Sequence, residues 1–151
     1  RKEGFEMKDF LNKRIAAFVS LAVLAAAFYV IRYPLIELHH MKEWPFDLFI
    51  FGVIAIAIAG LAVGAKFTPS LTAVGYAIGF IAGYFFQYDY VVYADPDGNV
   101  LEMGNSLWII WTYVFVGSIL AGIIIDTAVG IVKKIKSKDG DSGKTADEAG
   151  A

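Results

Sequence analysis

The sequence predicts an all-α integral membrane protein: four transmembrane helices in an antiparallel bundle, both termini cytoplasmic, with a short outer β-hairpin between helices three and four. Three observations carry this expectation. The chain is 58% hydrophobic and only 19% charged, with a mean hydropathy of +0.59, whereas a soluble domain runs near half apolar and a quarter charged. Its apolar residues gather into a few uncharged runs, each close to the length a helix needs to cross about 30 Å of hydrocarbon. The remaining charges sort by sign between the two sides that four such spans would define.

Each element follows from local signals. Residues 1–14 form a basic leader carrying Arg1, Lys2, Lys8, Lys13 and Arg14. Position 1 is not methionine, and the reading places a natural start at Met7. Helix one is expected over 15–33, ending where Pro34 disfavours further helix. A signal peptide would share the basic leader and the small triplet Ala25-Ala26-Ala27. The apolar run, however, continues to Ile31, as a spanning helix requires. Helix two is expected over 48–65 with Asp47 at its first turn, and helix three over 71–88. The short connection 66–70 between them implies a tight antiparallel hairpin, and its Pro69 suits a helix start.

Between helices three and four, Val91 to Ala94, then Asp95-Pro96-Asp97-Gly98, then Asn99 to Met103 read as strand, turn, strand. Asn105 and Ser106 are placed to cap helix four, expected over 107–132. The four spans therefore make a membrane domain over 15–132. Residues 133–151, rich in Lys, Asp, Gly and Ser, are expected to be a disordered cytoplasmic tail.

Charge asymmetry sets the orientation. Eleven of the 13 Lys and Arg residues fall on the side of the termini and Lys66, leaving Arg32 and Lys42 opposite. Cytoplasmic segments carry the cationic excess, so the termini are expected inside, in a bacterial or archaeal cytoplasmic membrane. The outer segments hold Glu37, Glu43, Asp47, Asp89, Asp95, Asp97 and Glu102, and the aromatic side chains also collect there. Trp44, Tyr88, Tyr90, Tyr93, Trp108 and Trp111 are the expected outer interface cap.

Several chemistries are excluded or disfavoured. With no cysteine, thiol catalysis and cysteine-bound metal centres are impossible. The only histidines, His39 and His40, lie outside the apolar runs, which disfavours intramembrane haem. There is no basic excess for nucleic acid. No nucleophile-and-base set or phosphate loop is visible, so neither an enzyme nor a cofactor is expected. Asp95, Asp97 and Asn99 have the spacing that opens a calcium loop, but Val100 stands where the loop needs glycine and Ser106 where it needs a bidentate acid. Tyr93 to Glu102 resembles the terminal hairpin of glyoxalase-type proteins, whose closing glutamate binds metal; the resemblance covers this hairpin only, since four spans leave no room for that fold's repeated modules.

Three features remain as candidates for function. Gly75, Gly79 and Gly83 recur every four residues, as do Gly60 and Gly64, a spacing that lets helices approach closely in lipid. The expected role is packing between helices two and three, or against a partner. Asp126 is the one carboxylate within a spanning run, at its inner edge, where an ion pair with Arg14, Lys66 or Lys133 is expected. Arg32 is its counterpart at the outer edge. Lys133, Lys134, Lys136 and Lys138 could hold anionic headgroups.

The function expected is a non-enzymatic accessory or scaffold subunit that packs through its glycine faces and presents the outer cap to a membrane protein partner. The other class considered is a small homo-oligomeric transporter or channel, cation or proton linked through Asp126. Its candidate lining groups are Ser20, Tyr76, Tyr84, Gln87, Thr112 and Ser118.

Overall fold

The computed structural model describes residues 2–35 and 44–149. Helix α1 (Lys2–Val30) ends in a wide π turn, Ile31–Leu35, where Pro34 has no N–H to continue the regular pairing. Helix α2 (Trp44–Ile56) begins four residues earlier than the sequence suggests. Pro45 fits this first turn because the amide it lacks would be unsatisfied there in any case. α2 then widens into a π-helical stretch, Ala57–Ala62. Helix α3 (Phe67–Phe86) also starts early, with Pro69 in its first turn. Strands β1 (Asp89–Ala94) and β2 (Val100–Asn105) precede helix α4 (Leu107–Ala149).

Four helical segments, Arg14–Tyr33, Trp44–Ala62, Phe67–Phe86 and Leu107–Lys138, are long and apolar enough to cross a membrane. Their exposed faces are apolar too. Phe18, Val19, Ile54, Ile58, Ile78, Ile81, Leu120 and Ile124 are each at least half exposed. Each helix nevertheless buries one stripe: Ala17, Ser20, Leu24 and Ile31 along α1 and its π turn; Leu48, Gly52, Ile56 and Gly60 along α2 and its extension; Leu107, Trp111, Phe115 and Ile119 on α4. α3 is the hub, with 44% of its span buried against 17–28% for the others. It touches all three neighbours, and α4 most extensively.

The polar groups drawn into this core are bonded where they stand. Ser20 Oγ donates to Ala16 O (2.6 Å) and Thr72 Oγ1 to Thr68 O (2.7 Å). Among the described residues no buried side-chain nitrogen or oxygen lacks a partner. That matters in an apolar bundle, because an unpaired buried polar group costs about 1–3 kcal/mol.

Glycine sets the α3–α4 distance. A Cβ at Gly83 would lie 2.6 Å from Leu107 O, and one at Gly79 would lie 2.6 Å from Trp111 Cδ1 and 2.9 Å from Trp111 O. A Cβ at Gly75 would overlap Ser118. At the other end of the pair the small residue changes helix: Gly122 of α4 faces Thr68, whose Cα would be 2.6 Å from an added Cβ. Gly60 seats α2 against Ala17 and Pro69 in the same way.

Four expectations are corrected. The ladder of Gly75, Gly79 and Gly83 faces α4, not helix two, because the hairpin connection brings α4 back along that face. Gly64 packs against nothing: no atom lies within 4 Å of a Cβ built there, and its φ is 77°. It turns the chain out of α2 in the left-handed conformation that glycine tolerates best. Residues 133–149 are helical and not irregular, since α4 continues to Ala149. Extending an existing helix fixes one residue for each hydrogen bond gained, and the tail supplies Lys, Ala and Glu among its Gly and Ser. Trp111 belongs to the core, as described below.

The glycine ladder makes a direct prediction. Gly79→Ala forces a methyl group against the Trp111 backbone and should destabilise by about 1–3 kcal/mol. Gly117→Ala, on the open side of α4 with nothing within 4 Å, should leave stability unchanged or slightly higher. Thermal unfolding of the two variants in the same detergent checks the difference.

Candidate functional site

The two ends of the bundle carry the polar features, and they are built differently. At the hairpin end, Trp44 opens α2 and Trp108 lies in the first turn of α4. Their rings meet edge-on at 5.1 Å, and Trp44 Nε1 donates to Thr112 Oγ1 (3.1 Å). Beneath them Tyr76 of α3 donates its hydroxyl to Pro45 O (2.9 Å), while Trp111 Nε1 donates to Tyr76 O (2.8 Å). Trp111 is 1% exposed and meets Tyr76 and Phe80 edge-on. It is therefore removed from the outer cap: one turn inside Leu107, it lies on the buried stripe of α4 and fills the space that Gly79 leaves.

The hairpin follows from turn chemistry. Asp95 to Gly98 form the turn, with Pro96 at the position that favours its fixed φ and Gly98 at φ 86°. Gly98 N–H donates to Asp95 O (3.0 Å). Asp95 accepts from the Asn99 backbone N–H at 2.7 Å and from Asn99 Nδ2 at 2.8 Å. Both carboxylate oxygens of the would-be first calcium ligand are thus used inside the turn. The strands pair antiparallel from Asp89↔Asn105 to Ala94↔Val100, with irregular register around Val91–Ala94. The Tyr90 ring covers Gly104, whose missing side chain leaves room for it. At the base, Ser106 Oγ accepts from Tyr88 N–H (2.8 Å), Asn105 Nδ2 donates to Asp89 Oδ1 (2.9 Å), and Asn105 Oδ1 caps Leu107 N–H (2.8 Å).

Most of the large side chains described on the hairpin remain uncovered. Tyr88, Val91, Val92, Tyr93, Val100 and Met103 are 49–62% exposed, and Tyr90 is half-buried. Arg32 lies half-buried in the π turn at the end of α1. Glu37, His39, His40, Lys42 and Glu43, which the sequence places in the same outer region, lie outside the described residues. Among the described residues no group of three or more His, Asp or Glu is placed to hold a metal.

At the opposite end Asp126 replaces its expected ion pair with a helix terminus. Oδ1 accepts from Lys66 N–H (3.1 Å) and Phe67 N–H (3.1 Å); Oδ2 accepts from Thr68 N–H (2.7 Å) and Thr68 Oγ1 (2.7 Å). A carboxylate from α4 thus caps α3. The unpaired amides and partial positive charge of a helix start supply what the sequence reading assigned to a cation. Gly122, one turn earlier on the same face, permits the approach. The signal for this contact in the sequence is the four-residue spacing from Gly122 to Asp126, the same spacing as in the α3 ladder. Arg14 reaches the neighbouring end of α2, where its Nε donates to Leu61 O (2.9 Å).

Several of the candidate lining groups are hydrogen-bonded to backbone carbonyls. Ser118 Oγ donates to Val114 O, Thr112 Oγ1 to Trp108 O and Gln87 Nε2 to Tyr84 O. No family model, curated protein or solved structure matches this chain.

Two predictions follow from these geometries. Asp126→Ala strands three amides and a hydroxyl and should lower unfolding stability by about 2 kcal/mol. Asp126→Asn keeps an acceptor oxygen and should lose about half as much, as measured by thermal unfolding in detergent. The hydrogen bonds from the Asn99 side chain and then its backbone hold the Asp95 carboxyl below the usual aspartate range. A carboxyl lowered in the folded state contributes order above its unfolded pKa and loses it as pH falls through the folded value. The Asn99 amide resonance should therefore hold its position through neutral and mildly acidic pH and move only below the ordinary aspartate midpoint. An Asn99→Ala chain should show the Asp95 titration displaced upward.

Proposed function

We propose that this chain is a non-enzymatic accessory or scaffold subunit of a membrane assembly, inserted with both termini and Lys66 on the cytoplasmic side and the hairpin outside. The observation that carries this reading is the uncovered hairpin. A two-stranded sheet alone is marginally stable in water, and one displaying a run of large apolar side chains marks a contact surface. Its rigid base and ordered turn favour presentation over mobility. The partner proposed is therefore a membrane protein that covers Val91, Val92, Tyr93 and Met103.

Three features of the bundle support the scaffold reading over transport. The glycine ladder is occupied within the monomer, which ties the helices into one unit. Ser20, Thr72, Tyr76, Thr112 and Ser118 donate their hydroxyls to backbone carbonyls. Asp126 uses both oxygens to cap α3, which leaves it poorly suited to carry a proton or cation. The orientation rests on the cation asymmetry, with Lys66, Lys133, Lys134, Lys136 and Lys138 at the end opposite the hairpin.

The native chain has no cysteine, so single-cysteine probes report cleanly. A membrane-impermeant maleimide should label Asp97→Cys in intact cells and Ser142→Cys only after permeabilisation; the reverse pattern overturns the orientation. Native mass spectrometry after mild extraction should give one copy of this chain bound to a different protein. Val91→Asp with Tyr93→Asp should release that protein without lowering the melting temperature. A closed ring of identical copies would instead favour the transporter class.

A further inference from the structure

The end of the bundle opposite the hairpin contains a groove that the scaffold role does not use. It lies between the connection from α2 to α3 and the face of α4 that follows Asp126. Its volume is about 400 Å³, and its lining includes Val63, Lys66, Phe67, Val129, Gly130 and Lys133. That volume falls within the range of clefts that take small ligands, about 300–1,000 Å³.

Its origin is structural. The π-helical end of α2 is closed by Val63 N–H to Ile58 O and Ala65 N–H to Ala59 O, and Gly64 then swings the chain away at φ 77°. Asp126 pulls the following amides onto α4 and starts α3 there. The chain therefore bows outward between two fixed points. On the opposite wall Gly130 contributes no side chain, and nothing lies within 4 Å of a Cβ built on it.

The chemistry of the walls is divided. Val63 is 76% exposed and Phe67 45% exposed, an apolar lip continuous with the apolar outer faces of the helices. Lys66 and Lys133 are both exposed at the groove, and among the described residues neither side chain has an ion-pair partner. The one carboxylate in the lining, Asp126, is already taken by the α3 amides and Thr68. An apolar lip beside two free ammonium groups, at the end of a spanning bundle, suits a ligand with an acyl chain and an anionic head.

We propose that this groove binds the phosphodiester headgroup of an anionic phospholipid between Lys66 and Lys133, with the upper acyl chain along Val63 and Phe67. Gly130 is the position that keeps the groove open. The four lysines that follow α4's apolar span then divide into one that grips a lipid and three, Lys134, Lys136 and Lys138, that face the surface diffusely. This proposal rests on the membrane-spanning reading; a chain that stays dispersed and folded without detergent would refute that reading first, separately from any lipid preference.

The test uses the full chain in detergent with phosphatidylglycerol, phosphatidylcholine of the same acyl chains, and inorganic phosphate as probes, read by native mass spectrometry and thermal shift. Phosphatidylglycerol should be retained and should raise the melting temperature, while phosphatidylcholine and inorganic phosphate should do neither. Each lysine near an anionic surface contributes about fivefold, so Lys66→Ala with Lys133→Ala should weaken retention roughly twentyfold or more. Lys136→Ala with Lys138→Ala removes the same charge from residues that do not line the groove and should change retention of a single bound lipid by less than about threefold, since the detergent particle presents no anionic surface to them. Gly130→Leu keeps every charge, fills the groove and should abolish retention while the lipid-free melting temperature stays at or above that of the native chain. Equal retention of the two lipids, equal loss in the two lysine pairs, stabilisation by inorganic phosphate alone, or full retention by Gly130→Leu would each overturn the proposal.

Discussion

The close approach of α3 to α4 is the contact on which the rest of the structure depends. Between helices whose outer faces are apolar too, hydrophobicity alone does not select which faces meet, and short-range van der Waals contact has to do so. Gly75, Gly79 and Gly83 on one helix and Gly122 on the other bring the two backbones to a distance that side chains would forbid. Everything else is placed by that pair. Trp111 can fill the space beside Gly79 and donate to Tyr76 O only because the backbones are this close. Asp126 can reach the first amides of α3 only because Gly122 has brought Thr68 against α4.

A second constraint is the accounting of polar groups at helix ends. Each helix start leaves amides, and each helix end leaves carbonyls, without intrahelical partners. Here neighbouring elements repeatedly supply the missing partner. Asp126 of α4 serves the start of α3, Arg14 of α1 serves Leu61 O near the end of α2, and Asn105 of β2 serves the start of α4. Tyr76 of α3 also reaches Pro45 O in the first turn of α2. These bonds cross between elements, so the same interactions that satisfy the backbone also fix how the helices are joined. Asp126 shows how an apolar segment accommodates a carboxylate: the start of another helix supplies its hydrogen-bond donors together with a partial positive charge.

The two ends of the bundle consequently differ in kind. The hairpin end is ordered by hydrogen bonds at its turn and base, yet leaves Val91, Val92, Tyr93 and Met103 uncovered. The opposite end has a concave surface lined in part by the exposed Lys66 and Lys133, created where the chain bows between the widened end of α2 and the cap on α3. The projecting hairpin and the groove lie at opposite ends of one helical bundle.

Much of this architecture was legible in the residues. The four helices appear in the length of the uncharged runs, and the hairpin in Asp95-Pro96-Asp97-Gly98 between apolar residues. The importance of Gly75, Gly79 and Gly83 appears in their spacing. Periodicity and turn chemistry act over a few neighbours, so sequence is sufficient for them. Partner choice between distant segments is not local, and here only the tertiary structure decided. It turned the glycine ladder toward α4 instead of α2, moved Trp111 from the interface into the core, made Gly64 a turn residue despite its spacing to Gly60, and gave Asp126 a helix terminus in place of a cation. In each case the residue type was equally compatible with both roles, and the outcome depended on which backbone the fold brought within a few ångströms of it.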